Sequence, residues 1–414
     1  MEDFKLNRRK VMKAMGAGAV AATGLVPAKS VFAQSGDVLK LSSVLSTSGF
    51  YAQYGLELTR GLEVAVEAVN KKGVKVGNKT YTIKYEVVDD KSDASTSARL
   101  VERAIGDGAN FVIAGVGSLI GKAIIPVAQR SRVPVMAQWA QLDNVFVTQK
   151  GNPYFFSTMP PFSGSYDSTI ELVSKLDNPK LKKVVMISPN DELGKLVAQV
   201  MPEKLKAQGM ELAHVEFFPP ATKDFGASLE RCAREKPDVF LINCYTPQIM
   251  AVFKQMQSVK FLPAAIIVEA PTHLVEGLGK PIDGVYAPSF WSADVNATRD
   301  EYIGNSKDFA RLYQEKFKVA PPDFVAACGA NNVITYAKAV AAAGKHNDNA
   351  ALLNALRKME GETFFSPIKF NDFGMNVRTS AYTGQFQQGK LVLVAPQNIR
   401  QSPAVHPYPG WNRG

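Results

Sequence analysis

The chain has 414 residues, 46% of them hydrophobic and 21% charged, with a formal net charge of +10. That apolar share supplies packed interiors and excludes a disordered chain, and the length suits two lobes of ordinary size rather than one core. The basic balance is no nucleic-acid signature: Lys5, Arg8, Arg9, Lys10, Lys13 and Lys29 stand with only Glu2 and Asp3 at the N-terminus, so removing that segment leaves +6, scattered among acids without a basic run.

Residues 1–33 have the layout of a twin-arginine signal peptide. Asn7-Arg8-Arg9-Lys10-Val11-Met12-Lys13 leads into a Gly/Ala-rich apolar stretch over 14–26, which is too short to span a bilayer. Val31-Phe32-Ala33 then offers a cleavage site, so the sequence predicts export to the periplasm, with the mature chain starting at Gln34. No later segment reaches about 18 uninterrupted apolar residues, the length a spanning helix needs.

Beyond the leader, extended runs over 38–45, 80–89, 111–114 and 134–137 alternate with helical patterns over 55–72 and 95–106. Continuous apolar runs such as Phe111-Val112-Ile113-Ala114 are the pattern of parallel strands buried on both faces. A second series starts after Asn152-Pro153-Tyr154. It has helices over 165–176, 192–208, 225–236 and 247–259, and strands over 183–188, 211–218, 239–243 and 264–268. Helices over 306–318 and 323–343 follow, the latter ended by Gly344, and then strands over 368–371, 382–387 and 391–394, the last two joined as a hairpin through Gln388-Gly389-Lys390. Two such blocks predict two doubly wound α/β lobes whose ligand lies between them, at the carboxyl ends of the strands. The Pro/Gly-rich tail over 396–414 reads as a surface wrap.

Enzyme signatures do not survive inspection. Gly115-Val116-Gly117-Ser118-Leu119-Ile120-Gly121 follows a strand and opens a helix, but its third Gly is one residue late for the dinucleotide fingerprint, and Ala137-Gln138-Trp139 stands where a ribose-binding acid is required. The loop suits a small anion instead, with free N–H groups at the helix start and a Ser118 hydroxyl that either donates to a ligand carboxylate or only caps the helix. The four His residues form no HExxH, and neither a G-x-S-x-G elbow nor a P-loop is present, so no cofactor, metal site or catalytic residue is assigned; His273 is given no role. Cys232, Cys244 and Cys328 lack metal or redox spacing, and a bridge between Cys232 and Cys244 is left open. More informative are Tyr54, Trp139, Tyr245 and Glu269, each just after a strand. A carboxylate ringed by aromatic faces suits an ammonium group.

At these residues the sequence resembles the leucine/isoleucine/valine-binding periplasmic proteins of ABC transporters, over nearly the whole mature chain. The resemblance is carried by Ser48-Gly49-Phe50-Tyr51-Ala52-Gln53-Tyr54-Gly55, Val88-Asp89-Asp90, Gly108 through Gly115, Val133-Pro134-Val135, Asn190-Asp191-Glu192-Leu193-Gly194, Lys223-Asp224-Phe225 and Lys236-Pro237-Asp238. It implies a type I periplasmic-binding fold, two lobes joined by three hinge crossings near Ser157, Trp291 and Phe365. The N-terminal lobe would comprise 37–157 with 292–365, and the C-terminal lobe 158–291 with 366–395. It implies a non-enzymatic monomer that delivers a small ligand to a membrane ABC permease, with Ser118 on the ligand carboxylate, Tyr54 and Tyr245 as cleft aromatics and Glu269 on the ligand ammonium. Three departures bear on the ligand. Gln141 replaces the family's clamp threonine in Ala137-Gln138-Trp139-Ala140-Gln141, Leu193 stands where an aromatic is common, and the N-terminal cysteine pair is missing. Gln141 is longer than Thr and also offers an acceptor, while Trp139 adds a flat apolar wall. The expected ligand is an amino acid or amino-acid-like molecule. The alternatives are a short amide, urea or an aromatic carboxylate, or a ligand sensor on the same fold.

Overall fold

The computed structural model describes residues 37–177, 179–269, 277–295 and 299–411. The signal-peptide segment and His273 lie outside them. Among the described residues no helix is long and apolar enough to cross a membrane.

The first sheet has six strands: β1 (Val38–Leu45), β2 (Val74–Val76), β3 (Lys79–Asp89), β4 (Phe111–Val116), β5 (Val135–Trp139) and β6 (Phe155–Phe156), in the order β2-β3-β1-β4-β5-β6. All neighbours are parallel except the short β2–β3 pair. Register in the centre sets Leu41 beside Phe111 and Val112 beside Val135. Every residue of β4 is buried, as its unbroken apolar run requires when helices cover both faces. The second sheet has seven: β7 (Lys183–Pro189), β8 (Glu211–Phe218), β9 (Val239–Ile242), β10 (Ala265–Val268), β11 (Tyr286–Ser289), β14 (Tyr382–Gln387) and β15 (Lys390–Ala395), in the order β15-β14-β11-β10-β9-β7-β8. Strands β7 to β11 run parallel and the β14–β15 hairpin adds an antiparallel edge. Between the hairpin and the preceding helices, β12 (Glu360–Glu362) and β13 (Pro367–Lys369) form a separate ribbon, so the run read over 368–371 pairs locally and joins neither sheet.

Helix starts follow side-chain chemistry. Asp93, Asp191, Asn305, Asp323 and Asp348 each accept an N–H of the first helical turn, which satisfies donors the helix itself cannot reach. Gly344 ends the helix Phe324–Ala343 in the left-handed conformation, where a side chain would be strained. The expected helix over 165–176 is shorter, Asp167–Ser174, preceded by a 3-10 turn at Phe162–Gly164.

Helix 324–343 is buried along nearly its whole length and packs on the helix Ala52–Lys72, which follows β1 more than 250 residues earlier. The two backbones touch. A Cβ on Gly61 would lie 1.7 Å from the Ala326 carbonyl oxygen, and one on Gly329 2.3 Å from that of Leu58. This contact pins a late segment to the first sheet and forces the chain to pass between the sheets three times. The passages hold one another. Ser157 N donates to the Gly374 carbonyl and Asn376 N to that of Ser157, while the Thr158 hydroxyl donates to Asn332 Oδ1 of helix 324–343 at 2.8 Å. At the second passage Trp291 Nε1 donates to Ser306 Oγ, which donates to the Phe364 carbonyl beside the third.

The C-terminal tail is a strap with its own anchors. Val405 and Gln385 exchange backbone-to-amide hydrogen bonds, Tyr408 N donates to the Ala264 carbonyl, and the Trp411 ring meets Phe253 edge-on with centroids 4.9 Å apart. All three cysteines are buried and unbridged, which resolves the Cys232–Cys244 question in favour of free thiols.

Gly61→Ala tests the helix contact. Forced separation of two backbones already in touch should cost about 1–3 kcal/mol, read as a lower guanidinium midpoint with unchanged slope.

Candidate functional site

Each sheet reverses its strand order beside its first strand, β1 between β3 and β4, and β7 between β8 and β9. In doubly wound sheets the loops at the carboxyl ends of such neighbouring strands diverge and leave a crevice. Tyr51 and Tyr54 follow β1, Ser118 follows β4, Trp139 and Gln141 close β5, Leu193 follows β7, Tyr245 follows β9 and Glu269 follows β10. The seven residues singled out in sequence therefore all lie at carboxyl strand ends.

On the first sheet's side, Gly117 is the N-cap of the helix Ser118–Ser131 at φ 90°, and no side chain caps that helix. Ser118 is thus the first helical residue and not its cap. Its Oγ accepts from the backbone N–H groups of Gln141 and Leu142 at 3.2 and 3.1 Å, binding two loops together, and its own O–H remains a donor. A Cβ on Gly117 would meet the Tyr51 ring at 2.9 Å, so this backbone and that ring share one wall. Gln141 Oε1 accepts from Trp139 Nε1 at 3.2 Å and its Nε2 donates to Ser165 Oγ at 3.4 Å. Gln141 thereby orients the indole. The Trp139 and Tyr54 rings lie tilted with centroids 4.6 Å apart.

The second sheet's side meets these residues directly. Tyr54 Oη contacts Thr246 Oγ1 at 2.5 Å and accepts from Thr246 N at 3.3 Å, at the start of the helix Thr246–Ser258. Tyr54 is therefore fixed across the crevice at a helix N-terminus. Phe50 and Tyr51 each pack edge-on against Tyr245, at 5.4 and 5.7 Å. Leu193, in the first turn of the helix Glu192–Ala207, is buried in the apolar core.

Glu269 carries the electrostatics. The residue is 6% exposed, no described residue hydrogen-bonds its carboxylate, and burial pushes its pKa up to about 8. Its charge in turn helps to raise the phenols of Tyr54, Tyr166 and Tyr245 and the Cys244 thiol, in each case after desolvation. Those groups lie within its electrostatic reach. Asp191 is also raised, by partial burial, and lies within electrostatic reach of Tyr51, Tyr245 and Cys244. From the first sheet's side, Lys122 reaches this acidic wall and pairs with Glu192 at 3.1 Å. The described residues hold no group of three or more His, Cys, Asp or Glu arranged for a metal.

Several residues that complete the crevice carry no signal of their own in sequence. Tyr51 and Phe50 stand in the Ser48–Gly55 run next to Tyr54, and helical spacing puts Tyr51 and Tyr54 on one side, which was the available clue. Tyr166 donates to Asn243 Oδ1 at 2.8 Å, and Asn243 Nδ2 donates to Ser188 Oγ. That chain joins segments separated by more than 50 residues, so local pattern could not reveal it.

Two α/β sheets whose carboxyl strand ends face one crevice frame a site for a small ligand. The model of the periplasmic binding protein family matches residues 39–390, and the chain belongs to that family. It is 23% identical over 398 residues to Leu/Ile/Val-binding protein homolog 8 of Brucella abortus, covering 91% of this chain and 95% of that protein. Among solved structures it is similar to the branched-chain amino acid transporter substrate-binding protein LivJ of Streptococcus pneumoniae in complex with isoleucine, with a TM-score of 0.73 and 21% identity over 89% of this chain and 100% of the other. It is equally similar to an ABC transporter solute-binding protein of R. palustris in complex with benzoate, with a TM-score of 0.72 and 21% identity over 89% and 97% of the two chains. The type I fold expected from sequence is therefore the fold of this chain.

Glu269 makes stability depend on pH. Its folded pKa of about 8 lies above its ordinary 4.5. Between those values the unfolded state has lost the proton the folded state retains, so stability should fall as pH rises through that window and level off above it. Thermal melts of the ligand-free protein from pH 5 to 9 should show this decline, and Glu269→Gln should flatten it.

Proposed function

We propose that the protein is an exported solute-binding protein that captures an amino acid or amino-acid-like zwitterion between its lobes and passes it to an ABC-type membrane permease. The observation that carries this reading is Glu269, a buried carboxyl that no described residue hydrogen-bonds, within electrostatic reach of the Tyr54, Tyr166 and Tyr245 phenols. A buried carboxyl without a partner is costly, and a ligand ammonium would supply both the counter-charge and the hydrogen bonds. On the first sheet's side, the Ser118 hydroxyl and the uncapped start of helix 118–131 suit the ligand carboxylate. Trp139 and Leu193 would bound the ligand side chain. The isoleucine-bound structure of similar fold supports the same class of ligand.

Closure follows from contacts on both sides. The moving bodies would be 37–157 with 292–365 and 158–291 with 366–395, hinged near Ser157, Trp291 and Phe365, working as a monomer in the periplasm after twin-arginine export. A ligand that touches Ser118 and Glu269 together stabilises only the closed arrangement.

The second reading is an aromatic carboxylate. It is favoured by the indole that Gln141 holds beside Tyr54, a flat wall suited to stacking, and by the benzoate-bound neighbour.

The two readings differ in protons. An ammonium ligand pairs with ionised Glu269, so its binding should release a proton below about pH 8 and strengthen as pH rises toward that value. An aromatic acid has no ammonium and should show neither effect. Calorimetry of L-leucine, L-phenylalanine and benzoate in buffers of different ionisation enthalpy reads this directly. Glu269→Ala should weaken amino-acid binding on the order of 100-fold and leave benzoate nearly unchanged. Undiminished amino-acid binding by the variant would sink the ammonium role.

A further inference from the structure

We propose that Glu192 is a closure latch, a positioning residue that holds the two lobes together without touching the ligand. Its two carboxylate oxygens are divided between two donors from the opposite side of the crevice. Oε1 pairs with Lys122 Nζ at 3.1 Å and Oε2 accepts from Asn144 Nδ2 at 2.9 Å. Lys122 stands on helix 118–131, after β4, and Asn144 on the short helix Asp143–Phe146, after β5. The latch thus grips both loops that carry the first sheet's candidate ligand contacts, Ser118 and Gln141.

Three features fit this role. Glu192 is the first residue of its helix, with Asp191 capping the turn, so its backbone is fixed and a negative charge there is favoured by the helix N-terminus. It neighbours Leu193 while its carboxylate turns to the rim, where the side chain is 33% exposed and Lys122 55% exposed. An ion pair at that exposure is weak and screened by salt. For a latch that is a useful strength. A ligand must be released again, and a pair that shifts an open–closed equilibrium only a few-fold biases closure without locking it.

The inference rests on the reading of the protein as a closing clamp, and charge exchange across the crevice tests it. Glu192→Lys and Lys122→Glu each place like charges face to face, and the double exchange restores an attractive pair of reversed sense. Small-angle scattering of the ligand-free mature chain should show a larger radius of gyration for each single variant and a return toward wild type for the double. High salt should erase the difference between wild type and the milder Glu192→Gln. In calorimetry each single variant should bind L-leucine and benzoate about threefold or more weakly, by the same factor for both, because the latch acts on closure and not on recognition. Single variants that match wild type in compactness, or a double exchange that fails to restore it, would overturn the latch. Should wild type bind neither probe, the ligand reading fails while the scattering still decides the latch.

Discussion

The backbone contact between helices 52–72 and 324–343 is the constraint on which the architecture depends. Gly61 and Gly329 let the two helices approach until each faces a carbonyl of the other. That closeness seats a helix from the last quarter of the chain against the first sheet. Because β11 before it and the β14–β15 hairpin after it belong to the second sheet, the chain has to pass between the sheets three times. Three neighbouring strands of backbone resist shear and twist better than one while still allowing rotation about a common axis, which is the mechanical property a clamp requires. The hydrogen bonds among Ser157, Thr158, Asn332, Gly374 and Asn376 brace two of these passages against each other, and Trp291 and Ser306 tie the second to Phe364.

Chemistry gathers at the end of the sheets that this hinge brings together. The first side offers donors: the Ser118 hydroxyl, an uncapped helix start and Lys122. The second offers acidic groups: Glu269, which burial keeps protonated below about pH 8, and Asp191 and Glu192 at the start of helix 192–207. Opposed polarity of this kind would orient the zwitterion proposed above along one axis, with Glu269 ionising as the ammonium arrives. The aromatic rings between the two sides perform a different task. Phe50, Tyr51 and Tyr245 pack edge to face across the crevice and join its two walls through apolar contact.

Gln141 illustrates how a single change redistributes roles. The family resemblance puts it where a threonine would be expected to meet a ligand carboxylate. In the structure its amide orients Trp139 and reaches Ser165, while its backbone N–H is held by Ser118. The first-side wall is accordingly built as a hydrogen-bonded unit of serine, glutamine and indole. Tyr54 likewise does more than line a cleft, because its hydroxyl meets the start of helix 246–258 from the other side.

The sequence by itself determined the alternation of buried strands and amphipathic helices, the two α/β blocks, and the placement of Tyr54, Ser118, Trp139, Gln141, Leu193, Tyr245 and Glu269 after strands. Those features are local: an apolar run, a capping aspartate or a terminating glycine states its conformation within a few residues. Short strands such as β2, β6 and β11 escaped that reading, being two to four residues long and without periodicity of their own. Tertiary structure decided what those residues face. Whether Ser118 caps a helix or ties two loops, whether Gln141 points at a ligand or at Trp139, and whether Glu269 has a partner depend on segments tens to hundreds of residues apart. Burial sets the pKa of Glu269 and the exposure of Glu192, and burial is a property of the packed chain that no local pattern contains.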